Sequence, residues 1–202
     1  MKTIYVIAGE VSGDLHASNL ITKLVKKSLE PIRFVGMGGE KMHSVGMDLH
    51  FDYKDIAIMG FWEVLKQAKR LKQKIKEVVS DIKSENPDAL LLVDSSGFNL
   101  RVAKEVKKQT SIPIHYYIAP KIWAWAEWRI KKIKERVDFL YCILPFEEEY
   151  FRSKGFGNAF YVGNPTLEEI EAHQFEKVSI ELKEGKTLAL LPGSRKQEIS
   201  RI

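Results

Sequence analysis

The stretch KTIYVIAGEVSGDLHASNLI, residues 2–21, decides the fold. Its apolar run, residues 3–8, does not alternate with polar residues, which predicts a strand buried on both faces. Gly9 then permits a sharp turn. Ser12 is placed to cap a helix, and Asp14 falls in its first turn, where the helix dipole favours a carboxylate. A buried strand, a tight turn and a helix form the first unit of a parallel α/β sheet.

The same alternation of elements continues along the chain. Further strands are predicted at residues 32–36, 89–94, 114–118, 139–144 and 159–162, and helices at 13–29, 60–84, 100–109, 123–136 and 146–154. This order predicts a Rossmann-like, doubly wound parallel sheet with α/β connections. Ligands of such sheets bind at the carboxyl ends of the strands, so the loops at that edge are the candidates for function.

Composition narrows the class of protein. With 45% hydrophobic and 29% charged residues, the chain has the make-up of an ordinary globular protein. Cys142 is the only cysteine, which excludes an intrachain disulfide and fits a reducing compartment. The first apolar run is too short for a signal peptide or a membrane span, so we expect a cytoplasmic protein. Neither a dinucleotide-binding glycine motif nor histidines at metal-ligand spacing occur, and we expect no cofactor and no metal.

The net charge of +5 is unevenly distributed. Residues 62–76 hold six Lys/Arg against one Glu, and residues 121–136 hold six against two. A solvated helix face is the common explanation, but tryptophans beside basic residues in the second stretch suit an anionic membrane surface. Nucleic acid could use the same side chains, yet no nucleic-acid motif accompanies them, and we expect none. The expected membrane contacts are Trp62, Lys66, Lys69, Arg70, Trp125, Trp128, Arg129 and Lys132.

A carboxylate follows the predicted central strand in LLLVDSSGFNLRVA, residues 90–103. Asp94 at the end of a central strand suits a general base or a group that binds a hydroxyl. Asp before two serines is also a good turn former. Residue type alone leaves these two interpretations equal.

Eight motifs follow one another along the chain: AGEVSGDLHASNLI, FVGMGGEKM, IMGFWEVL, VDSSGFNL, APKIWAW, ILPFE, VGNPT and LLPGSRKQEI. In this order and spacing they resemble the lipid-A-disaccharide synthases over the whole chain. The resemblance implies the N-terminal half of an inverting glycosyltransferase of GT-B architecture. Such an enzyme transfers 2,3-diacylglucosamine from UDP to 2,3-diacylglucosamine 1-phosphate at the inner membrane, giving lipid A disaccharide 1-phosphate and UDP. As an isolated 202-residue chain we expect it to have little or no activity.

The resemblance also implies a domain organisation. Residues 1–165 are expected to form the acceptor-binding domain, 166–186 a linker and 187–202 the start of a UDP-sugar-binding domain. The implied partners are UDP-diacylglucosamine, diacylglucosamine 1-phosphate and an anionic inner-membrane surface on which the protein is peripheral; a homodimer is left open. The alternatives are another GT-B enzyme that acts on a UDP-sugar, or a non-catalytic membrane- or lipid-binding module.

The family pattern suggests site residues and shows one departure. Many members have Asp-x-Pro-Asp-Phe-Asn after the central strand, and the second Asp is the favoured base; Gly97 takes its place here. Either Asp94 or Asp14 takes the role, or the chain is catalytically weak, and we predict Asp94. The expected acceptor-binding residues are Glu10, Ser12, Gly13, Met59, Gly60, Phe61, Glu63 and Asn99. The expected donor-binding residues are Asn164, Ser194, Arg195 and Glu198.

Overall fold

The computed structural model describes residues 1–57 and 64–172, together with 185, 186 and 188. Its strands are β1 (Lys2–Ala8), β2 (Ile32–Gly38), β3 (Asp48–Asp52), β4 (Ala89–Val93), β5 (Ile114–Tyr117), β6 (Phe139–Cys142) and β7 (Ala159–Tyr161). All seven form one parallel sheet in the order β3-β2-β1-β4-β5-β6-β7. The chain divides into two compact units, Met1–Glu168 and Glu169–Ile202, and the sheet belongs to the first.

Helices cover both faces of the sheet. They are α1 (Val11–Lys27), α2 (Glu40–Ser44), α3 (Lys54–Ala57), α4 (Val64–Glu85), α5 (Ser96–Gln109), α6 (Ile122–Trp125), α7 (Ile130–Arg136), α8 (Pro145–Ser153) and α9 (Pro165–Ala172). The core of one face includes residues of α1 and α2, and the core of the other includes residues of α4, α5, α7 and α8. The predicted doubly wound parallel sheet and its six predicted strands are confirmed.

Strand β1 explains why the fold can be predicted from its sequence. Tyr5, Val6, Ile7 and Ala8 are all completely buried. Tyr5 and Ile7 pack into the core on one face, whereas Val6 and Ala8 pack into the core on the other. Full burial of an aliphatic side chain of this size contributes about 1.5–3 kcal/mol. An apolar run without alternation is therefore the pattern that a strand covered on both faces requires.

Strand β1 also lies at the switch point of the topology. From β1 the chain moves outward to β2 and β3, and α4 then returns it to β4 on the other side of β1. The loops that follow β1 and β4 consequently leave the same edge of the sheet in opposite directions. In open α/β sheets a crevice forms at this position, and ligands bind there.

Two regions differ from the prediction. Strand β3 was not predicted, because it is an edge strand of alternating sequence with no fully buried residue. The single helix expected at residues 123–136 is wrong: α6 and α7 are separated by a 3-10 helix, Glu127–Arg129. The break falls at buried Ala126, whose φ of −139° and ψ of 40° are not helical. The expected linker, residues 166–186, begins inside α9.

One glycine is required by the packing of β2 against β1. Gly36 has a φ of +131°, and the register between β2 and β3 shifts immediately after it. A Cβ atom at Gly36 would lie 2.4 Å from the carbonyl oxygen of Val6 and 2.7 Å from the ring of Tyr5. Any other residue would both clash with β1 and require an unfavourable backbone conformation.

A polar cluster fastens α4 to the first strands. The hydroxyl of Tyr5 donates to Asp81 at 2.6 Å, and His50 Nδ1 lies 2.8 Å from the same carboxylate. His50 Nε2 lies 3.4 Å from Asp48 and 4.0 Å from Glu85. Burial on its own would lower the pKa of His50, but the hydrogen bonds and charges of Asp81 and Asp48 raise it above the ordinary value. The protonated imidazole therefore stabilises the folded chain.

This cluster predicts a pH dependence of stability. Because the folded pKa of His50 is raised, its contribution is complete below the unfolded value of about 6.5 and is lost as the pH rises through the folded value. Urea unfolding followed by circular dichroism should show a free energy of unfolding that falls above about pH 6.5. In His50→Gln this fall should disappear.

A second histidine provides a control of opposite sign. Burial lowers the pKa of His115, so its neutral form is favoured in the folded chain, and its protonation destabilises the fold at low pH. His115→Gln should thus remove a loss of stability that sets in as the pH is lowered below about 6.5, and leave the fall above that pH intact. A His50→Gln variant with the wild-type slope above that pH would contradict the role of the cluster.

Candidate functional site

The loops after β1 and β4 touch at the carboxyl edge of the sheet. A Cβ atom at Gly9 would lie 2.5 Å from the hydroxyl oxygen of Ser95, so only glycine permits this approach. The contact joins the two loops at the switch point. Both loops are thereby fixed relative to each other before any ligand binds.

Three non-glycine residues at this edge of the sheet have left-handed backbone conformations. Asp94 and Ser95 follow β4 with φ of 48° and 41°, and Ile118 follows β5 with φ of 63°. Such conformations cost about 1–3 kcal/mol each and concentrate at functional sites. For a β-branched residue such as Ile118 the conformation is a genuine outlier. The ends of two adjacent central strands are therefore both strained.

Buried side chains hold the strained turn in place. The side-chain amide of Asn99, which is completely buried, donates to the carbonyl oxygens of Val93 at 3.0 Å and Asp94 at 2.8 Å. The hydroxyl of Tyr116 also donates to the carbonyl oxygen of Asp94. Asn99 was expected to bind the acceptor, but the structure places its amide hydrogens on the turn that presents Asp94.

A cavity of about 330 Å³ opens beside this turn. Its walls come from the ends of β4 and β5, the α6 region, and single residues of α1 and α9. The polar side chains that line it are His16, Asp94, Ser96, Lys121, Arg129 and Thr166. Asp94, the predicted base, is half-buried and is one of the residues that line this cavity.

The other candidate base, Asp14, is buried and caps a neighbouring helix. It is 3% exposed and accepts hydrogen bonds from the backbone N–H groups of Gly39 at 2.8 Å, Lys41 at 3.2 Å and Met42 at 3.1 Å. These donors are the otherwise unpaired N–H groups at the N-terminus of α2. Asp14 is not among the side chains that line the cavity. Both of its oxygens are occupied in capping a neighbouring helix.

Three of the other residues expected to bind the acceptor lie at the start of α1. Glu10 is the N-cap residue of α1, and the expectation that Ser12 caps this helix is wrong, because Ser12 lies exposed inside its first turn. Gly13 is buried with its Cα facing Ala8, where a Cβ would lie 3.4 Å from the Ala8 side chain. Met59, Gly60, Phe61 and Glu63 lie outside the described residues.

Of the expected donor-side residues, the structure describes one. Asn164 precedes α9, and its side-chain oxygen accepts from the backbone N–H of Thr166 at 3.0 Å, as an N-cap does. Ser194, Arg195 and Glu198 lie outside the described residues.

A tryptophan-basic surface, formed by Trp125, Trp128, Arg129 and Lys132, borders the cavity. Trp125 and Trp128 are 73% and 61% exposed. The Arg129 guanidinium lies 4.9 Å from the ring centre of Trp125 and 5.3 Å from that of Trp128, and Lys132 Nζ lies 4.4 Å from the latter. Lys69 and Arg70 are exposed on α4, where Lys66 also lies; Trp62 is outside the described residues. No helix in the described ranges is long and apolar enough to cross a membrane.

A buried carboxylate, missed by the sequence reasoning, supports this surface from within. Glu147 is completely buried and accepts from the indole N–H of Trp123 at 3.0 Å and from the backbone N–H groups of Ile143 and Leu144 at 3.1 and 3.0 Å. It connects α6 to the loop after β6. Its position in the ILPFE motif, directly after a strand, is the signal that could have identified it.

The sequence also gave no indication that His16, Lys121 and Arg129 share a cavity with Asp94. Lys121 and Arg129 follow β5, whose carboxyl end lies beside that of β4, and this topology is the available signal. Within the described part of the chain, no group of three or more His, Cys, Asp and Glu side chains could hold a metal ion.

Comparison with known proteins decides the family. A family model described as lipid-A-disaccharide synthetase matches residues 4–202. The chain belongs to this family. It is 41% identical over 204 residues to a lipid-A-disaccharide synthase of Myxococcus xanthus, covering 98% of this chain and 52% of that protein. For the synthase of Idiomarina loihiensis the identity is 40%, with 98% and 53% covered. The chain thus spans about half the length of these relatives.

Solved structures support the fold. A putative UDP-N-acetylglucosamine 2-epimerase from Listeria monocytogenes superposes with a TM-score of 0.64 at 13% identity, covering 90% of this chain and 50% of that one. A UDP-GlcNAc 2-epimerase from Neisseria meningitidis, bound to UDP-GlcNAc, gives 0.59 at 13% identity, with 85% and 50% covered. At this identity the likeness concerns the Rossmann-like architecture alone.

Substitution of the two candidate carboxylates should change the free energy of unfolding by different amounts. Asp14→Asn should lower the free energy of unfolding by about 2 kcal/mol, because an amide offers one oxygen to three backbone donors. Asp94→Asn should change it by less than about 0.5 kcal/mol, since Asn tolerates the left-handed backbone as well as Asp does. Urea unfolding at neutral pH measures both, and equal losses would contradict this assignment of roles.

Proposed function

We propose that this chain forms the acceptor-binding part of a lipid-A-disaccharide synthase. In a protein of the relatives' full length, it would transfer 2,3-diacylglucosamine from UDP to 2,3-diacylglucosamine 1-phosphate. The observation that carries the proposal is the cavity at the switch point, lined by Asp94, in a chain of this family. In this proposal, residues 1–165 form the acceptor-binding domain and residues 166–186 form a linker to the next domain. Residues 187–202 begin that next domain, which binds UDP-sugar through Ser194, Arg195 and Glu198.

The proposed reaction needs one base. Asp94 takes the proton from the 6-hydroxyl of the acceptor as that oxygen attacks C1 of the donor sugar. The bond between C1 and the diphosphate oxygen breaks, and its electron pair leaves with UDP. Attack from the face opposite the leaving group gives the inverted, β-linked product. The strained turn supports this role, because it fixes the Asp94 carboxylate in the cavity without help from a ligand.

Position 97 supports the choice of Asp94 over the usual family base. Gly97 is exposed in the first turn of α5, and a Cβ atom there would meet no atom within 4 Å. The loop therefore has room for the carboxylate that other members place there, but this chain does not supply it. Asp14 is the less suitable replacement because its oxygens cap α2.

Two other functions remain as alternatives. Another UDP-sugar enzyme would share the fold of the UDP-GlcNAc 2-epimerases. A non-catalytic lipid-binding module would use the tryptophan-basic surface without chemistry at Asp94. Product analysis separates them, since the proposed synthase alone forms a disaccharide 1-phosphate.

In a full-length protein that carries this sequence, Asp94→Asn should lower kcat by about 10²–10⁴-fold with little change in KM. The reason is that the amide retains the shape of Asp94 but accepts no proton. Thin-layer chromatography of the disaccharide 1-phosphate measures the rate. Asp88→Asn, at the opposite end of β4, is the matched control and should retain activity, because Asp88 accepts a backbone hydrogen bond from Thr3 far from the cavity.

If the full-length protein without substitutions forms no disaccharide 1-phosphate, the proposed function is contradicted. A wild-type rate for Asp94→Asn would contradict the role of Asp94 alone. In that event, loss of activity in Asp14→Asn without loss of stability would transfer the role to Asp14.

We also propose that the protein is peripheral on the inner membrane through the tryptophan-basic surface, joined by Trp62, Lys66, Lys69 and Arg70. Exposed indoles suit the interface between water and lipid, and each nearby cation contributes about 1 kcal/mol on an anionic surface. The described contacts support this: the indoles are exposed and each lies beside a cation.

Sedimentation with vesicles tests the membrane proposal. The chain should bind vesicles that contain anionic phospholipid, and the bound fraction should fall as NaCl is added, because surface charges are screened. Trp125→Ser combined with Trp128→Ser should reduce binding strongly, whereas Leu29→Ser, which removes an exposed apolar side chain before β2 at the amino edge of the sheet, should not. Binding that is insensitive to salt, or unchanged in the double variant, would contradict the docking surface.

A further inference from the structure

The cavity beside Asp94 contains more positive than negative charge. Lys121 and Arg129 line it together with the single carboxylate of Asp94. Within the described residues, no ion pair joins Asp94 to either cation, and neither cation has another carboxylate partner. Charges of both signs thus line one cavity without a direct ion pair between them. A ligand that meets both must itself carry an anionic group and a proton donor.

Arg129 is held in position although it lacks an anionic partner. Its guanidinium lies over the rings of Trp125 and Trp128, at 4.9 and 5.3 Å from their centres. Stacking on ring faces uses the cation's charge but leaves the N–H groups at its edge for hydrogen bonds. One of these, on Nη1, points to the hydroxyl of Ser96 at 3.4 Å, a long contact. The remaining donors are oriented before a ligand arrives.

The neighbouring backbone favours an anion at the same place. Ser96 is the first residue of α5, a helix of 14 residues whose N-terminus carries partial positive charge. Gly97, the next residue, has open space where a side chain would be. Arg129 and the first turn of α5 therefore meet at the cavity, whose lining also includes Lys121, and Asp94 lies two residues before α5.

We propose that Arg129, with Lys121 and Ser96, binds a phosphate monoester, the 1-phosphate of the acceptor lipid. This rests on the proposed function for the identity of the lipid, but the anion subsite itself rests on the geometry. The planar guanidinium matches two phosphate oxygens at once, which a neutral sugar does not offer. The sugar hydroxyl is then directed to Asp94 by the same ligand. Arg129 is thus a substrate-binding residue in addition to its place on the tryptophan-basic surface.

Binding to two lipids tests the subsite. The probes are 2,3-diacylglucosamine 1-phosphate and the same lipid without its phosphate, each in neutral detergent micelles, with the 202-residue chain and titration calorimetry. The phosphorylated lipid should bind about 10-fold or more tightly, the value of one hydrogen bond to a charged group. Arg129→Gln should abolish this preference and leave the affinity for the other lipid within about twofold.

Two variants are matched to this change. Arg101→Gln removes an exposed arginine of α5 that does not line the cavity, and should leave both affinities unchanged. Arg129→Lys keeps the charge but not the planar fork, so it should retain part of the preference. Thermal unfolding of each variant shows whether it is folded, and Arg129→Lys provides the test if Arg129→Gln is not.

Several outcomes would overturn the proposal. Equal weakening of both lipids in Arg129→Gln would indicate a structural role. Competition by UDP in wild type, but not in Arg129→Gln, would assign the subsite to the donor diphosphate. Binding to anionic micelles without the lipid, with the same dependence on Arg129, would assign it to the membrane. These are binding measurements, so a negative result contradicts the phosphate subsite only. The proposed function is tested independently by the disaccharide assay.

Discussion

The burial of β1 between β2 and β4 is the constraint on which the rest of the structure depends. Its residues Tyr5 to Ala8 face two cores at once, so no shift in register is tolerated on either side. Because the chain leaves β1 for one side of the sheet and returns on the other, the loops after β1 and β4 diverge. The crevice between them is a consequence of topology, and Gly9 allows Ser95 of the second loop to approach the first closely.

Buried side chains fix the geometry of the candidate site from within the core. Asp94 is presented by a turn of unfavourable backbone conformation that Asn99 and Tyr116 hold from within the core. On the facing wall, Glu147 holds Trp123 and thereby the α6 region that carries the exposed indoles. Buried polar side chains thus position both walls, while the groups that would meet substrate remain accessible.

The fold could be predicted from the sequence because strands buried on both faces have uninterrupted apolar runs, as in β1 and β4. Strand β3 could not, since an alternating edge strand of five residues resembles a loop. The turn at Asp94 was located correctly, but the capping role of Asp14 was not foreseen, because its donors lie 25 to 28 residues away along the chain. Likewise the break at Ala126, three residues before Arg129, was not predicted, because the stretch from Ile122 to Arg136 contains no glycine or proline to signal it.

The way in which the turn after β4 is held has a consequence for sequence variation. Its shape is maintained by contacts to the backbone of Val93 and Asp94 and by the packing of Ser95 on Gly9, and none of these involves a side chain at residue 97. A lineage can therefore gain or lose a carboxylate at that point without refolding the loop. On the proposed assignment of the base, related proteins can place the proton acceptor at position 94 or at position 97 and keep the same loop backbone.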